Sequence, residues 1–169
     1  MLARLSRLLR HRLLDEADTR KAIPPELVTR LAQRVAASER RHTGEIRICV
    51  EASLPTSYLR RDATARQRAV TMFGKLRVWD TEQNNGVLVY LLLAERAIEI
   101  VADRGLARRV DRGEWQRIVQ RMGTAFREGR YEDGLTQALE EVSALLVAHF
   151  PAADGEVRPN ELPNEPLLG

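Results

Sequence analysis

Cysteine, lysine, histidine and aromatic residues are all scarce in this chain, and each scarcity removes a class of explanation. The single cysteine, Cys49, excludes an internal disulfide and a multi-cysteine zinc site, and it fits a reducing compartment. The three histidines, His11, His42 and His149, lie too far apart to suggest a shared metal. His42 and His149 fall near expected helix ends, where a cation complements the helix dipole. Aromatic residues make up 5% of the chain, too few for a stacking platform on nucleic acid. Arginine supplies 25 of the 27 basic residues, a bias that GC-rich coding explains as readily as selection for a guanidinium surface.

Long apolar runs are missing as well. No stretch approaches the ~18 consecutive apolar residues of a membrane span. Arginines interrupt "MLARLSRLLRHRLL" before a signal-type apolar region can form, so the expected location is the cytoplasm. Phosphate-cradling glycine loops, a nucleophile elbow and an H-E-x-x-H pair are all lacking. "DEAD" at residues 15–18 has neither a P-loop nor a preceding apolar strand, and reads as chance.

What is present is organised. Residues 1–41 carry ten Arg/Lys against five Asp/Glu, and the remainder seventeen against nineteen, so basicity belongs to the N-terminal arm and the first long helix. Within residues 2–13, Leu2, Leu5, Leu9 and Leu13 share one helical face. Such a segment either packs its leucines on its own domain or lies on an anionic membrane surface, with Arg4, Arg7 and Arg10 as the contacts. The second alternative would place the protein at the inner face of the membrane.

Pro24-Pro25 opens a helix with Leu27, Leu31 and Val35 on its buried stripe. "EIRICVE" alternates as a strand with one core face. A single helix is expected from about Tyr58 to Leu76. "GVLVYLLL" is apolar throughout and reads as a strand covered on both faces. A tight connection leads to "IEIVA". Asp111 with Glu114 makes a capping box for a helix ending at Gly129, and a last helix runs to Phe150. Four prolines follow, so the tail from Pro151 should be extended or disordered.

Helices needed on both sides of a doubly apolar strand imply an α/β/α sandwich, three layers around a small mixed sheet. The segments expected are a basic amphipathic arm over 1–22, the α/β/α domain over 23–150 and a Pro-rich tail over 151–169. An antiparallel hairpin would set Asn84 and Asn85, at its start, beside Asp103 and Arg104, at its end. Carboxylates and amide oxygens at one rim suit Ca²⁺, Mg²⁺ or Mn²⁺, with Asp103 and Asp111 as the metal ligands. Arg104 could receive an anion, and Trp115 opens the following helix face as a further binding residue. The same residues also read as turn chemistry, a local ion pair and a helix cap.

"TGEIRICVE", "NNGVLVYLLLAERAIEIVADRG", "VDRGEWQRI" and "FREGRYEDGL" together resemble the TPM domain family, over roughly residues 25–150. The tail "HFP" and "NELPNEPLL" resembles a short bacterial subgroup without secretion signal or membrane anchor. The resemblance implies an α/β/α sandwich, divalent-cation binding in some members and acid phosphatase activity in others. Many exported members have Gly-Tyr-Gly where this chain has Asp103-Arg104-Gly105. Three functions are therefore expected to compete. One is a non-catalytic module binding a cation or another protein, with no nucleic acid and no organic cofactor. The second is a divalent-metal-dependent phosphomonoesterase. The third is a peripheral membrane adaptor working through residues 1–13.

Overall fold

The computed structural model describes residues 2–155 and 158–169, with side chains from residue 5 onward. Two short helices, α1 (Leu2–Leu13) and α2 (Glu16–Ala22), precede α3 (Pro25–Glu39). Asp15 caps α2 through a reciprocal box with Asp18, so "DEAD" serves as helix-start chemistry. β1 (Ile46–Glu51) follows, then α4 (Thr56–Arg60) and α5 (Ala65–Lys75). The single helix expected over 58–76 is thus two. Asp62 takes a left-handed backbone (φ 56°) and Thr64 starts α5 afresh with a capping box to Gln67.

β2 (Val87–Leu92) and β3 (Ala97–Ala102) form the expected antiparallel hairpin across a short 3₁₀ turn. α6 (Arg104–Ala107), α7 (Arg112–Arg127) and α8 (Tyr131–His149) complete the helices. Residues 158–169 then return along the domain and contribute β4 (Leu167–Leu168), which pairs with β1 in parallel. The sheet order is β3-β2-β1-β4, with β1 and β2 parallel. It is a small mixed sheet.

Its two faces explain the layers. Ile46, Ile48 and Val50 of β1, with Val87, Val89 and Leu91 of β2, face α3, α7 and α8. Cys49, Leu88, Tyr90 and Leu92 face α4 and α5. Every residue of β2 is fully buried, as an all-apolar central strand requires. On the second face Glu51 accepts hydrogen bonds from Arg68 and from Tyr90 Oη. This buried pair is satisfied on both oxygens of the carboxylate. Burial pushes the Cys49 thiol up to about 12, so it is protonated and inert at neutral pH.

His42 corrects one expectation. It is fully buried, with Nδ1 3.1 Å from the Gly44 carbonyl and Nε2 2.7 Å from Ser38 Oγ. A carbonyl can only accept, so Nδ1 carries the proton and Nε2 takes the Ser38 hydroxyl. Desolvation holds the imidazole down at about 4, so His42 is a neutral connector and supplies no charge to a helix end.

Candidate functional site

The open end of the β2–β3 hairpin is held by backbone contacts between its two expected motifs. Asp103 N donates to Gly86 O, and Gly105 N donates to Asn84 O, each at 2.8 Å. Glycine is required at both crossings. A Cβ on Gly86 would sit 2.0 Å from Val78 O, and one on Gly105 would sit 2.4 Å from Asn84 O. "NNG" and "DRG" are therefore two halves of one close chain crossing.

The crossing sorts the expected site residues. Asn84 is exposed in a left-handed turn conformation (φ 52°). Asn85 is fully buried, and its amide donates to Thr43 Oγ1 at 3.0 Å while its backbone N–H reaches Thr81 Oγ1. Its side chain ties the 81–85 loop to the turn before β1. Asp103 is buried (6% exposed), with Oδ1 accepting from Arg104 N at 2.7 Å. Its Oδ2 is buried and has no hydrogen-bond partner among the described residues. Arg104 points largely to solvent, with Nε 3.9 Å from Asp103 Oδ1. Asp111 is exposed, and its Oδ2 accepts from Gly113 N as the cap of α7. Among the described residues, no three His, Cys, Asp or Glu side chains gather where a metal could be held.

Trp115 leads elsewhere. Half-buried at the start of α7, it lines a groove of about 700 Å³ with Val119, Arg112, Arg66, Glu99 and Ile100 among its walls. The floor is the outer edge of β3, the last strand on its side of the sheet. Because Asp103 N points to β2, the alternating pattern turns the N–H and C=O groups of Ile98, Ile100 and Ala102 outward. Arg66, from α5 on the other side, donates to Ile100 O and lies 3.5 Å from Glu99. Burial raises the Glu99 carboxyl, and Arg66 opposes that rise. Arg112, from the first turn of α7, adds a second guanidinium to the groove wall. The groove therefore combines an open strand edge, an indole and a cationic rim.

Sequence reasoning reached Trp115 but missed Arg66, Glu99 and Arg112. Arg66 comes from a distant helix, and only the layered packing of α5 across β3 brings it to the groove. One signal was readable: Ile98 and Ile100 alternate with Glu99, as in an edge strand with one core face.

The model of a family described as the TPM domain matches residues 17–145. The BA42 protein of the psychrophilic bacterium Bizionia argentinensis, solved by NMR, is 24% identical, with a TM-score of 0.71 over 83% of this chain and 91% of that one. The N-terminal domain of a protein from P. gingivalis is 23% identical, with a TM-score of 0.57 over 72% and 76% of the two chains. No curated protein matches this chain. The two structures share the fold.

Proposed function

We propose, from the premise that this chain belongs to the TPM domain family, that it is a non-catalytic module binding an extended, acidic segment of another protein along β3. The observation that carries this reading is the outer edge of β3, which no strand covers among the described residues, at the bottom of a groove walled by Trp115, Arg66 and Arg112. A strand added at an open edge gains main-chain hydrogen bonds, and pockets beside it read alternate side chains. Arg66 would pass from Ile100 O to a carboxylate of the incoming segment, exchanging one acceptor for a charged one. Trp115 supplies apolar contact area, and aromatic and arginine residues are where binding energy concentrates.

The test is an NMR titration with a synthetic peptide alternating valine and glutamate. Shifts and slowed exchange at the Ile98, Ile100 and Ala102 amides are expected. Trp115→Ala and Arg112→Glu should each weaken binding by about tenfold or more. Unchanged affinity in both variants would sink the reading.

A second reading is favoured by one specific observation, the orphaned Asp103 Oδ2. A buried anionic oxygen without a partner is costly, and a cation is one way to offset it. Asp103 would hold a Ca²⁺, Mg²⁺ or Mn²⁺ ion, with remaining ligands from exposed Asn84 and water, since hard cations accept such oxygens. The expected result is a rise in melting temperature with saturating Ca²⁺ or Mn²⁺ that disappears in Asp103→Asn. The phosphatase alternative has less support. It needs Asp103 and Asp111 to share one ion, yet each gives an oxygen to its own helix start.

A further inference from the structure

We infer that α1 is a contact for an anionic lipid surface, presented by a helix that is docked with its polar side inward. An amphipathic helix on a globular domain ordinarily buries its apolar stripe. α1 does the reverse. Arg7 and His11, one turn apart on one face, hydrogen-bond to the domain, and Arg10 borders the same cleft beside Asp62, Thr64 and Glu95. Arg7 Nε donates to Glu95 Oε1 at 2.7 Å, and its other nitrogens reach Asp62 Oδ1 and Ala63 O. His11 is buried, with Nε2 3.0 Å from Glu95 Oε1 and Nδ1 accepting from Leu54 N. The opposite face carries Leu5, Leu9 and Leu13, exposed at 56%, 52% and 78%, with Leu8 at 43% beside them.

This arrangement overturns self-packing of the leucines and corrects the contact set. Arg7 is turned into the domain, Arg4 lies outside the described side chains, and Arg10 and Arg12 are the exposed cations. At 100° per residue, Leu5, Leu9 and Leu13 occupy the arc opposite Arg7 and His11, and Arg10 and Arg12 flank that arc on either side. Residues 1–14 hold four arginines and no Asp or Glu.

Charge selects the occupant. A second copy pairing its own leucine face would bring like arginines together with no acidic partner in the segment. An anionic bilayer accepts the leucines among its acyl chains and the arginines among its headgroups. The helix lies flat in that arrangement, and Arg7 and His11 fix the domain above it. No helix of the described residues is long and apolar enough to cross a membrane, so the contact is interfacial.

The experiment is co-sedimentation of the full chain with vesicles of phosphatidylcholine alone, or of phosphatidylcholine and phosphatidylglycerol in equal parts, with light scattering of the free protein. Strong binding to the mixed vesicles only is expected, weakening with salt. The triple change Leu5→Gln, Leu9→Gln, Leu13→Gln should lower partitioning by about tenfold or more. Arg10→Glu with Arg12→Glu should lower it by at least about fivefold per residue. These side chains are exposed, so both variants should keep the wild-type melting temperature. Absence of binding, or binding unaffected by both variants, overturns the inference. So does a dimer that dissociates on the leucine change without vesicle affinity, which would assign the face to self-association.

Discussion

Glycine 86 and glycine 105 show how a side chain of one hydrogen can decide the position of a whole hairpin. Each passes a carbonyl oxygen at a distance that any Cβ would violate, and the atom met is backbone, which cannot swing aside. Gly86→Ala and Gly105→Ala are each expected to cost about 1–3 kcal/mol, the first by pushing the hairpin off the Val78 carbonyl and the second off the Asn84 carbonyl, measured as a lower urea midpoint with unchanged slope. Asp103 sits on the same crossing with the opposite economy, since its Oδ2 is an uncompensated buried acceptor. Without added metal, Asp103→Asn should change stability by under about 1 kcal/mol or raise it, because the amide still offers an oxygen to Arg104 N while shedding the charge. A large loss would mean that Oδ2 carries a favourable interaction after all.

At the scale of elements, legibility tracks how local the cause is. β2 was readable because eight apolar residues in a row need cover on both faces, and α7 because Asp111 announces its cap. The α4–α5 break is also written locally, in Thr64 and Gln67, but the helical apolar spacing running through it masks the signal. β4 was not legible. Leu167 and Leu168 have no periodicity, and their pairing with Cys49 and Val50 is purely long-range. The site divided the same way: Asp103, Asn85 and Trp115 come from visible motifs, and Arg112 lies beside Trp115 at the start of α7, whereas Arg66 reaches the groove only through tertiary packing. β4 is nevertheless firmly attached. Gly169 O accepts from Ala52 N and from Thr19 Oγ1, and Gly169 N donates to Val50 O. Deleting residues 167–169 should therefore cost about 2–4 kcal/mol, at roughly 1 kcal/mol for each net hydrogen bond plus the leucine contacts, and should speed amide exchange along β1 in hydrogen-exchange measurements. Within the core, Arg68→Met should cost about 3–5 kcal/mol, because it strands the Glu51 carboxylate in an apolar layer.

Across the whole molecule, the response to pH joins α3, the 42–45 turn and the returning tail. Glu39 accepts from Ile46 N, Glu45 accepts from Leu162 N, and Arg158 of the tail donates to the carbonyls of Glu39 and His42. Desolvation raises Glu39 from 4.5 to about 8 and raises Glu45 too, whereas it lowers His42 to about 4 and lowers His11. The signs oppose. A carboxyl raised in the folded state contributes its full stability below 4.5 and loses it as pH climbs through about 8. A lowered imidazole contributes fully above 6.5 and loses stability as pH falls toward about 4. Between 4.5 and 6.5 the two slopes offset each other, and above 6.5 the carboxyls act alone. The melting temperature of the wild type should thus decline from pH 6.5 to 8, and Glu39→Gln, which keeps an oxygen for Ile46 N, should flatten most of that decline. Calorimetry across the interval checks it. An undiminished slope in Glu39→Gln would move the titration to Glu45, and a melting temperature rising with pH would show that the carboxyls ionise in the fold without cost.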